Sequence, residues 1–295
     1  MIRPTEQRNP RTVHIDQWPS VRVVEALLAE DATAIAAAMV AAPALADAVD
    51  RASARIADGG RVHYFGAGAS GRLAVLDATE ATPTFGTPPG FFTPHFPGGA
   101  AAFADSSLDF EDAEPAGYDD AAPVGPGDVA VGLTASGTTP YVAGALRRAG
   151  AAGALTVLVA CNADPPLAML ADVTVVADTG PEAIAGSTRL KAGTATKVLL
   201  NAFSTALMVR AGRTYSNLMV NLVATNDKLH DRAVGIVGTV AGLGPGESAA
   251  VLGRCDGDVP LALTHALSGR TVAESRRALT DSGSVRAALA LLGSS

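Results

Sequence analysis

The chain has 295 residues, 48% of them hydrophobic and 17% charged, which is long enough for one large α/β domain with smaller additions. Aromatic residues are only 4%, so the core is expected to rest on small side chains, alanine and valine above all. A net charge of −7 disfavours non-specific binding to nucleic acid or to an anionic membrane.

Cys161 and Cys255 are far apart and fit neither a metal spacing nor a disulfide framework, so both read as inert thiols. The N-terminus is polar, and no run of about 20 apolar residues escapes Gly, Pro or charge. The expectation is a soluble cytoplasmic protein with no membrane span.

Residues 1–20 read as an extended, proline-punctuated arm. Residues 21–58 are alanine-rich with helical period and fit two or three helices, with Asp31 as a cap for one beginning near Ala32. The middle then alternates. Strands are expected at 61–65 (RVHYF), 128–133, 154–160 and 173–176. Helices are expected at 70–79, from about 140 to 149, near Leu167, and from about 187 to 211. The strands are apolar runs without polar alternation, which predicts a parallel sheet buried on both faces. The GLGPGE segment at 242–247 reads as a linker to a small helical tail. The expected domains are therefore residues 1–47 (arm and helices), 48–240 (sheet domain) and 241–295 (helical tail).

Two turns carry the chemistry. Residues 66–71 (GAGASG) follow the first strand and open a helix. They satisfy GxGxxG, but no strand-end carboxylate follows about 20 residues on to hold a ribose, so a dinucleotide site is not expected. Residues 134–140 (TASGTTP) follow the 128–133 strand and also open a helix. Thr134, Ser136, Thr139, Gly137 and a helix N-terminus offer donors to an anion, and Ser70 does so in the first turn. Both turns fall at the carboxyl ends of parallel strands, where open α/β sheets bind ligands. No GK[ST] follows either turn, so ATP is not the expected substrate. A third segment, 186–197 (GSTRLKAGTATK), offers Ser187 and Thr188 as caps or sugar contacts. Arg189 and Lys191 are candidate partners for a phosphate or carboxylate. Glu80, just before Pro83, is a candidate for proton transfer. His63 reads as packed core, His95 as a residue that touches substrate, and His230 as undecided.

Several strings together resemble one family: GAGASGRL at 66–73, DATE at 77–80, TEQRNP at 5–10, GSTRLKAGTATK at 186–197 and SNLMVNLVATNDKL at 216–229. They are similar to the N-acetylmuramic acid 6-phosphate etherases of the sugar isomerase (SIS) superfamily, from about residue 5 to 235. The resemblance implies an α/β/α sandwich around a five-stranded parallel sheet, and a homodimer without metal or organic cofactor. It also implies cleavage of the lactyl ether of N-acetylmuramate 6-phosphate, as in recycling of cell-wall sugars. By its motifs Glu80 and Glu111 are the catalytic carboxyl groups, and Thr134, Ser136 and Thr139 hold the phosphate with Ser70. Three departures stand out: Ala69 for threonine, Thr138 for arginine, and SLDFED at 107–112 for VEGAED. Asp109 and Glu114 are acidic neighbours of Glu111, but spacing favours Glu111.

Eliminating an ether at C3 needs an aldehyde at C1, a base at C2 and an acid at the departing oxygen. Two carboxyl groups in opposite protonation states supply this. Glu111 is assigned as base and Glu80 as acid, with the reverse left open. Ser70 and Glu80 are ten positions apart, about 15 Å along one straight helix. Either that helix breaks before Glu80, or Glu80 serves a phosphate held by another subunit. The second is preferred, and it places the active site at a dimer interface. A phosphosugar isomerase or a sugar-phosphate-binding regulator on the same fold is the alternative. Retention of both glutamates favours catalysis.

Overall fold

The computed structural model describes residues 3–105, 110–222 and 226–293. Two short 3-10 turns, Pro4–Glu6 and Ile15–Gln17, lead into α1 (Ser20–Val40) and α2 (Ala42–Ala57). Then come β1 (Val62–Gly66), α3 (Gly68–Phe85), β2 (Phe92–His95), α4 (Gly99–Ala104) and α5 (Glu114–Asp120). The chain continues through β3 (Val129–Thr134), α6 (Pro140–Ala151), β4 (Leu155–Ala160), β5 (Val173–Val176) and α7 (Lys191–Arg210). It ends in α8 (Asp227–Ala241), α9 (Pro245–Arg254), α10 (Val259–Ser268), α11 (Val272–Ser282) and α12 (Val285–Leu291).

The strands form one five-stranded parallel sheet, as expected, and their order is β2-β1-β3-β4-β5. Every residue of β1, β3 and β4 is buried, whereas β2 and β5 at the edges are partly covered. Phe65, Ala130 and Leu158 pack with Val142 and Leu146 of α6 in one apolar cluster. The larger of these, Phe65, Leu158, Val142 and Leu146, each contribute about 1.5–3 kcal/mol relative to exposure. Tyr64 points to the other face, and its hydroxyl donates to Asp77 of α3 at 2.9 Å. Ser204 of α7 donates to the other oxygen of Asp77 at 3.0 Å, so one buried carboxylate joins β1, α3 and α7.

Several details differ from the sequence reading. β2 is not among the strands expected from the sequence, and it begins at the end of the Gly- and Pro-rich stretch 84–93 (TFGTPPGFFT). It is an edge strand, where Pro94 costs no central ladder bond. α1 runs straight through Asp31, so that residue is not a cap. Its carboxylate instead accepts from Thr194 Oγ1 at 3.3 Å. α3 does not end at Thr79 but continues past Pro83 to Phe85. The expected start of α7 at Ser187 moves to Lys191, where Glu182 caps the helix by accepting from the backbone N–H groups of Lys191 and Ala192, both at 2.9 Å.

The chain divides into two compact units, Met1–Thr79 with Gly90–Ser204, and Glu80–Pro89 with Thr205–Ser295. The N-terminal helices thus group with the sheet, and residues 205–240 group with the C-terminal helices rather than with the sheet domain. The second unit has its own core, in which Val237, Leu252, Leu261, Leu263 and Val285 are almost fully buried. Its helices are capped conventionally: Asp258 accepts from Leu261 N–H, Thr271 from Glu274 N–H and Ser284 from Ala287 N–H. Among the described residues no single helix is long and apolar enough to cross a membrane.

Candidate active site

A cavity of about 570 Å³ opens in the sheet-containing unit where both glycine- and hydroxyl-rich turns leave the sheet. Its walls come from five separate segments: the N-terminal arm, the β1–α3 turn, the segment before α5, the β3–α6 turn and the loop before α7. Three of these are the carboxyl ends of strands or the amino ends of helices, where backbone N–H groups lack intrahelical partners.

The β3–α6 turn is organised by Thr134. It is buried, and its Oγ1 lies 2.8 Å from Thr139 Oγ1 and 3.2 Å from Ser136 Oγ. The same atom accepts from Gly137 N–H at 3.1 Å. Ser136 Oγ in turn lies 3.0 Å from Thr138 Oγ1. Ser136, Thr138 and Thr139 line the cavity, while Thr134 holds them from behind. Gly137 has φ +77°, and a Cβ there would collide with Pro165, so only glycine closes the turn. Gly137 acts on the shape of the turn.

In the first turn Ser70 lines the cavity. Gly68 begins α3 with φ +54°, and the Oε1 atom of Glu111 lies 2.6 Å from where its Cβ would be. Glu111 therefore packs its carboxylate against the amino end of α3, and it lines the cavity beside Ser70. The segment is anchored by its backbone, because Glu111 C=O accepts from Tyr141 N–H at 3.0 Å in the first turn of α6. A helix amino end favours the anionic carboxylate by about 0.3–1 kcal/mol. Asp109 lies outside the described residues. Glu114 sits in α5 and pairs with Arg147 at 3.2 Å.

Other expected residues fall elsewhere. Lys191 is 1% exposed, and its Nζ donates to Glu30 Oε2 at 2.8 Å, so its ammonium is engaged within the fold and does not line the cavity. Glu30 also accepts from Asn9 and, through two guanidinium nitrogens, from Arg11. Hydrogen bonding from Arg11, followed by Lys191, holds the Glu30 carboxyl down at about 2 despite its burial. Ser187 is half-buried beside the cavity-lining Gly186 and Thr188 but is not itself in the wall. Glu80 is exposed on α3, ten residues beyond Ser70 on one uninterrupted helix.

His95 lies on β2, away from the cavity wall. Its Nε2 is 3.0 Å from Nδ1 of His63, a single hydrogen bond whose donor is set by the tautomers, and its ring stacks on Phe65. His63 is buried, as expected for a core residue. Burial lowers both histidines, His95 to about 4 with His63 adding to the effect. Cys161 and Cys255 are free and buried, and burial pushes the Cys161 thiol up to about 12. Among the described residues no group of three or more His, Cys, Asp or Glu is arranged to hold a metal ion.

Sequence reasoning missed Arg3, Glu6 and Asp112 in the cavity wall. The first two reach it because the arm folds back. Asn162 Oδ1 accepts from Thr5 N–H at 3.2 Å and its Nδ2 donates to Thr5 Oγ1 at 3.1 Å. Thr12 Oγ1 donates to Ala183 C=O at 2.7 Å. The TEQRNP string was the available signal, since buried Thr5 and Asn9 are two of its residues.

A five-stranded parallel sheet with hydroxyl-rich turns around a cavity at its carboxyl edge defines a SIS-domain protein of the α/β class. The SIS domain model matches residues 104–206, and the model of the glucokinase regulatory protein N-terminal SIS domain matches residues 44–150. A solved phosphoheptose isomerase from Francisella tularensis shares the fold at TM-score 0.50 and 16% identity, covering 65% of this chain and all of its own. More specific are the sequence relatives. An N-acetylmuramic acid 6-phosphate etherase from Thermobifida fusca is 51% identical over 265 residues, 90% of this chain and 87% of the relative. One from Rubrobacter xylanophilus is 46% identical and covers 97% of this chain and 95% of its own. The chain belongs to the N-acetylmuramic acid 6-phosphate etherase family.

Proposed function

We propose that this chain cleaves the D-lactyl ether of N-acetylmuramate 6-phosphate, giving N-acetylglucosamine 6-phosphate and D-lactate. The observation that carries the mechanism is the Glu111 carboxylate at the amino end of α3, in the same cavity as the hydroxyls of Ser70, Ser136 and Thr139. The hydroxyls hold the phosphate of the open-chain sugar. Glu111, beside the amino end of α3, removes the proton from C2. Glu80 gives a proton to the ether oxygen as the C3–O bond breaks, and lactate leaves. Water then adds to C3 of the unsaturated aldehyde, giving one proton to the Glu80 carboxylate. Glu111 returns its proton to C2, so both groups regain their starting states.

Glu80 serves this role from a second copy of the chain. About 15 Å of helical rise separates it from Ser70, and α3 has no break that would bring the two together. Two exposed faces support pairing of copies. Val21, Val24, Leu28 and Met39 are each more than half exposed. At 100° per residue they fall on one narrow stripe of α1. Leu76, 45% exposed, shares the Glu80 face of α3. Incubation with N-acetylmuramate 6-phosphate tests the reading: it requires release of D-lactate, and an intact substrate would shift the reading to a non-catalytic sugar-phosphate binder. A cytoplasmic setting completes the proposal, since it gives a phosphorylated sugar the compartment where such compounds are made.

A further inference from the structure

The cavity wall is poorly charged for a phosphorylated substrate. Glu6, Glu111 and Asp112 all line it, and among the described lining residues Arg3 is the one cation. A dianionic phosphate entering beside three carboxylates needs a positive partner, and neutral hydroxyls supply hydrogen bonds but no charge. Arg3 is exposed, yet its backbone is not loosely held. Two residues on, Thr5 is fully buried and pinned by Asn162. The amide of Asn162 also donates to Ala135 C=O at 2.9 Å, inside the β3–α6 turn. One buried side chain thus joins the arm that carries Arg3 to the turn that carries Ser136 and Thr138. Gly186 N–H donates to Thr5 C=O at 3.0 Å and fixes the arm from the other side.

We infer that Arg3 is the phosphate's charged partner, delivered from the N-terminal arm to the hydroxyls of the β3–α6 turn. The inference rests on the proposed function, and it makes the arm part of the binding site. The competing possibility is that Arg3 only neutralises Glu6, its neighbour in the same wall.

The test uses the full chain and its Arg3→Gln variant. Calorimetric binding of N-acetylglucosamine 6-phosphate reads the phosphate contact without catalysis, and KM and kcat are measured with N-acetylmuramate 6-phosphate. Because Arg3 is exposed, the variant is expected to unfold at the same temperature as the unaltered chain. Loss of a charge-assisted contact should raise both Kd and KM by about 10- to 100-fold, with kcat changed far less. Arg3→Lys should recover part of the loss. Adding Thr138→Arg to Arg3→Gln should recover affinity, since position 138 lies in the same wall, whereas adding Glu6→Gln should recover only a small part of it, by removing one of three carboxylates. Unchanged Kd in Arg3→Gln would overturn the inference, as would full rescue by Glu6→Gln. A rise in KM without a rise in Kd for the lactate-free sugar phosphate would also overturn it, because Arg3 would then serve the lactyl carboxylate. Failure of the unaltered chain to release lactate is a different result and bears on the proposed function alone.

Discussion

Replacing Gly68 with alanine probes the position of Glu111 without touching the carboxylate itself. The new Cβ would lie 2.6 Å from Glu111 Oε1, and restoring the 3.4 Å of ordinary contact requires a shift of about 0.8 Å. Misplacing a reacting group by about 1 Å can cost on the order of 100-fold in rate, so kcat/KM should fall by roughly that factor. Gly68 also has φ +54°, and an L-residue there costs about 1–2 kcal/mol. For a protein of this size that corresponds to a Tm loss of roughly 2–3 °C. Gly59→Ala separates the two effects. Gly59 has φ +91° but nothing within 4 Å of its Cβ position, so it carries the strain without the collision. Steady-state lactate release and thermal unfolding of both variants form the assay. The reasoning predicts comparable Tm losses and a rate loss confined to Gly68→Ala. Full activity in Gly68→Ala would refute the placement of Glu111 as the base held at the amino end of α3.

Other expectations follow from the same geometry. Lys191→Met leaves Glu30 buried with one cation fewer and should lower unfolding stability in urea by about 3 kcal/mol. Unchanged stability with a raised KM would return Lys191 to the ligand-binding role read in the sequence. Mixing inactive Glu80→Gln chains with inactive Ser136→Ala chains should regenerate activity in mixed dimers, and a mixture that stays inactive argues against a shared site. Acidification should cost stability in the window set by His95. Its folded value of about 4 lies below the usual 6.5, so the unfolded chain binds the proton first as pH falls. The contribution is fully present above 6.5 and lost by about 4, up to about 3 kcal/mol. His95→Gln should flatten that part of the stability profile, and an unaltered slope would assign the pH dependence to other groups.

What the sequence made legible was local. The strands β1, β3, β4 and β5 are mostly apolar runs without regular polar alternation, and the two turns announce themselves by glycine and hydroxyl spacing between strand and helix. Glu111 was located by spacing from the resemblance, and it lines the cavity. What stayed hidden depends on distant partners. β2 contains a proline and only one fully buried residue, so neither period nor propensity marks it. Lys191 looks like a free cation until it is paired with Glu30, 161 residues earlier in the chain. Arg3 carries no local sign of function and Glu6 shows only as one residue of the TEQRNP string, because their place in the cavity is made by Asn162 and by Gly186, far along the chain. Asp31 resembles a helix cap, yet the helical propensity of the alanines around it carries α1 straight through.

The central claim is elimination followed by hydration at C3. The most direct measurement is cleavage of N-acetylmuramate 6-phosphate in water enriched in oxygen-18, with mass spectrometry of both products. The account predicts one labelled oxygen at C3 of N-acetylglucosamine 6-phosphate and none introduced into the lactate hydroxyl by cleavage. Label in the lactate hydroxyl, with C3 retaining its original oxygen, would contradict it, because the bond broken would then lie on the lactyl side of the ether.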